Sequence, residues 1–300
     1  MRRLFPTVSQ ASSGIPEATS TSLAPRPNYV SAMRDVGHLR RHLTGLGRFV
    51  LGYSGGVDSA LLAVVARRAV GPVGFLAVIG RSASYPEAQW RTARELAVRF
   101  GIPLRELDTL ELDDPQYRAN PLNRCYFCKS ELWLRLAALA RDEGYDAVID
   151  GTNADDLLEH RPGLAAAAER DVRSPLAELG WTKADVRAAA RELGLPTWDA
   201  PASPCLASRI RHGLAVTPER LRQVEDAEAY LRGLGIAGDL RVRHLGDRAR
   251  IEVGPGEFDT VDAHRDAIAF RFRALGFAAV ERDPLGYRRG ALAVLEPAGG

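Results

Sequence analysis

This 300-residue sequence predicts an α/β fold: a doubly wound parallel sheet followed by a smaller C-terminal α+β domain. Three observations carry that expectation. Short apolar runs alternate with amphipathic segments from Phe49 to about Thr152, the pattern of parallel strands joined by crossover helices. Two polar, glycine-containing turns, Ser54-Gly55-Gly56-Val57-Asp58-Ser59 and Gly151-Thr152-Asn153-Ala154-Asp155-Asp156, follow the first and last of those runs. Both therefore fall at carboxyl ends of strands, where ligands bind in such folds. Beyond His212 the order changes to helix, two strands, helix and strand over roughly 80 residues, a length suited to a small domain.

Taken in order, residues 1–33 are rich in Ser, Thr, Pro and Ala without apolar periodicity and read as a disordered tail. Met33 precedes a helical pattern (Val36, Leu39, Leu43, Leu46) and is a second candidate start. Strands are expected at 49–53, 73–79, 104–107 and 146–150, with helices at 59–69, 86–100 and 129–142. A helical unit over 164–193 ends at Gly194 and Pro196, and a Pro-rich loop, 199–209, follows as an exposed connector or site wall. Thr217 caps a helix with Pro218 at its first position, running to about Leu234. Strands at 240–244 and 249–253, a helix near 257–275 and a strand near 277–282 complete the second domain. The expected division is thus 34–212 for the first domain, 213–290 for the second, and 291–300 as a flexible tail.

Composition excludes more than it selects. Hydrophobic residues at 46% and charged residues at 26% are ordinary for a globular protein. A net charge of +2 gives no strong pull toward nucleic acid or an anionic membrane. No apolar run is long enough to span a bilayer, and Arg2-Arg3 lead into polar sequence, so the expected compartment is the cytoplasm. Only Lys129 and Lys183 are lysines among the 40 Lys and Arg, leaving 40 − 2 = 38 Arg. Three cysteines is an odd count, which argues against a disulfide framework.

The first turn has the chemistry of a pyrophosphate cradle. Gly55 and Gly56 let an anion approach the main chain, while the free N–H groups of the following helix and the Ser54 and Ser59 hydroxyls face one point. In the second turn Gly151, Thr152, Asn153 and Asp155 suit ribose or phosphate contacts, and carboxylates there suit Mg²⁺ held by the phosphates. The bland alternatives are an ordinary strand-to-helix turn and an Asx-type helix cap.

Cys125 and Cys128 stand three apart beside Asn123, Arg124 and Lys129, a basic setting that lowers thiol pKa values. They read as a redox pair, as two metal ligands, or as small buried hydrophobes. Cys205 lies in the Pro-rich loop just ahead of Ser208 and Arg209. Three thiolates around one point would suit an iron–sulfur cube with one iron left open, because such cubes take four cysteines.

Ser54–Ser59 resembles the loop of the PP-loop ATP pyrophosphatase superfamily, which splits ATP between its α and β phosphates. More specifically, Tyr53–Ser59, Asn120-Pro121-Leu122-Asn123-Arg124-Cys125-Tyr126-Phe127-Cys128-Lys129, Gly151–Asp155, Pro204-Cys205-Leu206-Ala207-Ser208-Arg209-Ile210, Arg241-Val242-Arg243-His244 and Ala249–Val253 together resemble the LarE family. The likeness covers about residues 35–285. It implies an adenine nucleotide alpha hydrolase-like fold and an ATP-dependent sulfurtransferase that forms AMP and pyrophosphate. The implied substrate is pyridinium-3,5-biscarboxylic acid mononucleotide, a precursor of the nickel-pincer cofactor of lactate racemase.

The resemblance also implies that Cys125, Cys128 and Cys205 hold a [4Fe-4S] cluster, or else that Cys205 gives up its own sulfur. Ser208, Arg209, Arg241 and Arg243 are implied to hold the substrate phosphate, and Glu228 and Glu252 to bind a divalent ion or orient those arginines. Relatives form rings of six, so a homo-oligomer is expected, with no membrane and no nucleic acid as partner. Rival readings are a tRNA thiolation enzyme, an amidotransferase or NAD/GMP synthetase half, and a non-catalytic nucleotide-binding regulator. The first should carry a basic tRNA-binding surface, the second an ammonia source, and the third should bind ATP without releasing pyrophosphate.

Overall fold

Seven strands fall into two sheets in a computed structural model of the chain, which describes residues 35–158, 162–201 and 203–288. The expected tails 1–33 and 291–300 lie outside the described residues. In order, α1 (Val36–Thr44), β1 (Phe49–Gly52), α2 (Val57–Ala69), β2 (Phe75–Arg81), α3 (Glu87–Phe100) and β3 (Leu104–Asp108) build one side of the first sheet. Next come α4 (Pro115–Arg118), α5 (Arg124–Asp142), β4 (Ala147–Ile149), α6 (Pro162–Ala168), α7 (Pro175–Glu178) and α8 (Lys183–Glu192). The second sheet follows, with α9 (Pro218–Gly233), β5 (Leu240–His244), β6 (Arg248–Val253), α10 (Phe258–Ala263), α11 (Arg265–Ala274) and β7 (Ala279–Arg282).

The first sheet is parallel throughout, in the order β3-β2-β1-β4. The chain leaves β1 in one direction to β2 and β3, then returns to the opposite side of β1 with β4. That reversal creates a topological switch point between the carboxyl ends of β1 and β4. Alternation along the strands separates two apolar layers. Phe49, Leu51, Phe75, Ala77 and Ile79 pack on the side of α1, α2, α3 and α8, while Val50, Leu76, Val78 and Val148 pack against α5 and α6. Both faces are covered, as a doubly wound sheet requires.

In the second sheet β5 and β6 are antiparallel and β6 and β7 parallel. Ala227 and Leu231 of α9 share its core with Val242, Ile251 and Phe272. Residues on either side of position 212 belong to one compact unit.

Local chemistry explains the element ends. The Asp35 side chain accepts the N–H groups of Gly37 and His38 at the start of α1. Thr182 and Asp185 close a reciprocal capping box on α8. Several boundaries differ from expectation, β2 among them, which runs Phe75–Arg81 instead of 73–79. Helix α2 starts at Val57, two residues before Ser59, with Gly56 as its cap in extended conformation. Helix α5 starts at Arg124 instead of 129, which puts Cys125 and Cys128 in its first turns. The single helix expected over 257–275 is two, meeting at His264, whose Nδ1 lies 2.8 Å from the Thr260 carbonyl.

Candidate active site

The cradle forms at the switch point. Ser54 donates its N–H to Ser59 Oγ (3.2 Å), and Ser59 Oγ donates to the Gly56 carbonyl (3.1 Å), so the turn closes on itself. Tyr85 Oη and Gln89 Nε2 each donate to the Ser54 carbonyl at 2.8 Å. Gly55 has φ 68°, and a Cβ there would stand 2.6 Å from Ala93 Cβ. Glycine at 55 is thus required twice, by backbone angle and by space. Gly56 is under neither constraint. Its φ of −67° is open to any residue, and a Cβ would meet only Ser54 Oγ, at 3.4 Å.

The second turn lies directly against the first. A Cβ on Gly151 would stand 3.0 Å from the Ser59 backbone nitrogen. Asn153 Nδ2 donates to Asp58 Oδ1 at 3.1 Å, and Asn153 Oδ1 accepts the N–H of Asp155 at 3.0 Å. Asp150 holds the turn from beneath, accepting the Thr152 N–H (3.0 Å), the Thr152 hydroxyl (2.7 Å) and the Ser174 hydroxyl (2.7 Å). Ser54, Gly55, Gly56, Asp58, Ser59, Gly151, Thr152, Asn153 and Asp155 are therefore one constellation.

A residue that sequence reasoning missed completes it. Lys183 Nζ lies 2.5 Å from Asp58 Oδ2, and its backbone N–H donates to Asp155 Oδ2 at 2.8 Å. The signal available was rarity, since it is one of only two lysines. Its 125-residue separation from Asp58 hides the contact. Beside the cradle a cavity of about 360 Å³ is lined by Arg81, Tyr85, Trp90, Asp108 and Glu225 among others. Burial raises the Glu225 carboxyl above the usual carboxylate range.

The three cysteines share one neighbourhood. Cys128 and Cys205 both pack against the apolar cluster of Tyr117, Leu206, Ala207 and Ile210, with Cys125 exposed on the preceding turn of α5. Burial, and next the charge of Glu111, push the Cys128 thiol well above its ordinary range. The loop carrying Cys205 hangs from the first sheet, because Leu206 donates its N–H to the Ser84 carbonyl at 2.8 Å. Ser84 Oγ in turn meets Tyr117 Oη at 2.6 Å. Ser84 precedes Tyr85, whose hydroxyl holds the cradle, so two adjacent residues join the sulfur loop to the anion loop.

Cluster binding fits this geometry poorly. Among the described residues no three His, Cys, Asp or Glu side chains converge to hold a metal ion. Burial of Cys128, which disfavours its thiolate, also opposes ligation. The expected [4Fe-4S] assembly is not supported by this arrangement.

Ser208, Arg209, Arg241 and Arg243 do come together, but buried: the arginines are only 2%, 7% and 6% exposed. Arg209 forks onto Glu228 (2.9 and 3.2 Å), and Arg243 Nε donates to Glu252 at 2.9 Å and its Nη1 to the Ser208 carbonyl at 3.1 Å. Arg241 lies over the Tyr287 ring at 5.2 Å. Glu228 also accepts the Val242 N–H, at 3.0 Å. Both carboxylates pair with arginine, the second of the two roles expected for Glu228 and Glu252. The other oxygen of Glu252 is buried without a hydrogen-bond partner.

No helix among the described residues is long and apolar enough to cross a membrane. A family model described as NAD synthase matches residues 36–118, the segment holding the cradle. An uncharacterised protein of Synechocystis sp. is 44% identical over 257 residues, covering 85% of this chain and 95% of its own length. One subunit of the glutamine-hydrolysing GMP synthase of Pyrococcus furiosus is 29% identical over 218 residues, 64% of each chain. The pyridinium-3,5-bisthiocarboxylic acid mononucleotide synthase of Lactiplantibacillus plantarum is 34% identical over 250 residues, covering 83% of this chain and 90% of that one. With that identity along nearly the whole chain and the PP-loop cradle in place, this protein belongs to the LarE family of PP-loop enzymes.

Proposed function

We propose that the chain is an ATP-dependent sulfur transferase. It adenylates a carboxylate of pyridinium-3,5-biscarboxylic acid mononucleotide, releases pyrophosphate, and converts the acyl-adenylate to a thiocarboxylate. The observation that carries this reading is the junction at Ser84 and Tyr85, which ties the Cys205 loop to the Ser54 cradle. An anion site alone would suit any nucleotide-binding protein; a thiol held beside it suits transfer onto an activated acid.

The residues divide the work. Backbone N–H groups at the start of α2, with the Ser54 and Ser59 hydroxyls, are positioned to hold the phosphates. Asp58 and Asp155 fit a Mg²⁺ bound mainly by phosphate oxygens, since that ion needs only one or two protein carboxylates. Mg²⁺ would neutralise charge on the departing pyrophosphate. Lys183 then supplies a cation at the same place, and Asp58 keeps it aimed. The guanidiniums of Arg209 and Arg243, held by Glu228 and Glu252 beside the Cys205 loop, suit the substrate's phosphate.

For sulfur transfer, the Cys205 thiolate attacks the acyl carbon. A C–S bond forms and the C–O bond to AMP breaks, AMP leaving with the electron pair. Release of the thiocarboxylate then breaks the Cys205 Cβ–S bond, with loss of the Cα proton, leaving dehydroalanine. In this reading each chain works once. The test is Cys205→Ser, assayed with ATP and the biscarboxylic acid mononucleotide. Pyrophosphate release should persist while thiocarboxylate formation is abolished, and the wild-type chain should lose the mass of one H₂S per turnover. Sulfur transfer by the variant overturns the assignment of Cys205, and ATP binding without pyrophosphate release overturns the enzymatic reading altogether.

A further inference from the structure

The stretch Asn120–Arg124 lies between the apolar cluster and the cysteine helix, and the chemistry above gives it no task. Asn120 is fully buried with φ 55°, a left-handed backbone that asparagine tolerates better than other side-chain-bearing residues. Its Nδ2 donates to the carbonyls of Ile210 (3.2 Å), Arg211 (2.8 Å) and Leu214 (3.0 Å), and its own carbonyl accepts the Gly213 N–H (3.0 Å). Its Oδ1 accepts from Arg124 Nη1 at 2.5 Å. The same Nη1 donates to the Ala207 carbonyl at 2.9 Å.

Arg124 is 4% exposed and has no carboxylate partner among the described residues. A buried guanidinium without a counter-ion is costly, so a purely architectural strut would use a neutral side chain. Burial opposes its charge, while Cys205 and Cys125 beside it favour the charged guanidinium, in keeping with its place at the first position of the cysteine helix.

We propose that Asn120 and Arg124 form a buried polar clamp that holds Cys205 against the helix carrying Cys125 and Cys128, and are positioning residues for sulfur delivery. The clamp grips the chain on the carboxyl side of Cys205, at 207, 210, 211 and 214, while Ser84 grips Leu206. Without it, the loop keeps its attachment at Ser84 and its links to the second sheet through Arg243 and His244, but loses its tie to the start of the cysteine helix. Sulfur placement and carboxylate activation are therefore separable in the same fold. The inference deepens the reading of Cys205 as sulfur donor and rests on it.

Two variants of the full chain test it, Asn120→Gly and Arg124→Lys. Glycine accepts φ 55° and removes only the amide, whereas lysine keeps the charge but loses the fork. The first measurement is independent of activity. In a Cys125→Ser background, a short bifunctional thiol reagent should bridge Cys128 to Cys205 in the parent, and bridging should slow about tenfold or more in each clamp variant. The second is the ratio of thiocarboxylate formed to pyrophosphate released, expected to fall between about tenfold and a hundredfold with pyrophosphate release near the parent rate. Unchanged bridging in both variants overturns the clamp. Pyrophosphate release falling in proportion to thiocarboxylate also overturns it, because that is the mark of a general structural role. If Asn120→Gly does not fold, Arg124→Lys decides alone. If the parent bridges and the variants do not, but no chain makes thiocarboxylate, the clamp stands and the sulfur-transfer reading fails.

Discussion

Gly55→Ala separates the two glycines of the cradle, which look equivalent in sequence. An alanine at 55 must adopt φ 68°, costing about 1–2 kcal/mol for an L-residue. Its Cβ would also lie 2.6 Å from Ala93 Cβ and 2.9 Å from Ala93 Cα, so α3 must shift, which costs about 1–3 kcal/mol by the usual penalty for overpacking. Together the substitution should destabilise the chain by roughly 2–5 kcal/mol, a large part of a typical total near 5–15 kcal/mol. Gly56→Ala meets neither penalty, since its φ is −67° and its nearest neighbour would be Ser54 Oγ at 3.4 Å. The loss there is confined to a poorer helix cap, within about 1 kcal/mol of the parent. Urea unfolding of both variants, fitted for midpoint and slope, gives the comparison directly. Equal destabilisation by the two substitutions, or a Gly55→Ala chain within about 1 kcal/mol of the parent, would refute the reasoning.

Lys183→Met should cut pyrophosphate release by roughly a hundredfold or more while leaving the unfolding midpoint almost unmoved, because the ion pair it breaks is partly exposed. Near-normal release would remove Lys183 from the site. Glu252→Gln strands a buried Arg243 without its counter-charge and should cost about 3–5 kcal/mol in urea unfolding. A cost below about 1 kcal/mol would show that the pair is not what holds Arg243. His244 is buried, accepts the Gly246 N–H and meets Gln223 Oε1 at 2.8 Å; burial and then Arg220 lower its pKa from 6.5 to about 4. Its neutral form is the one the fold accepts, so its contribution is full above pH 6.5 and is lost as pH falls toward 4, about 3 kcal/mol in all. Stability measured against pH should therefore flatten by close to one proton between those limits in His244→Asn, and an unchanged slope would exclude His244 as the group responsible.

Most of the fold could be read along the chain because its signals are local. Apolar runs mark β1, β2 and β4, and Thr217-Pro218 marks the start of α9 where the structure has it. The cradle was legible for the same reason, since its six residues are contiguous. What escaped was set by contacts between distant segments. Arg241 and Arg243 alternate on β5 as an exposed basic edge would, yet α9 and the 206–209 turn bury them against Glu228 and Glu252. Lys183 reaches Asp58 only because α8 packs on α2. The start of α5 was misplaced because Pro121 and Asn123 look like a loop continuing toward Lys129. The helix instead begins at Arg124, whose side chain is drawn inward by Asn120 and Ala207.

Joining the two centres through adjacent residues has a chemical logic. An acyl-adenylate is open to attack by water, so a sulfur nucleophile held far from the cradle would lose the race. Ser84 presents its carbonyl to the Cys205 loop and its hydroxyl to Tyr117, while Tyr85 presents its hydroxyl to Ser54. Both loops are thus tied to one short turn between β2 and α3, so under the proposed reaction the distance between activated carboxylate and thiol is set across that turn instead of a long connection. Tyr117, Leu206 and Phe127 line the sulfur side with apolar surface, which disfavours water there without displacing a thiol. The same apolar wall pushes the Cys128 thiol up, in keeping with the proposal that Cys205 is the sulfur donor.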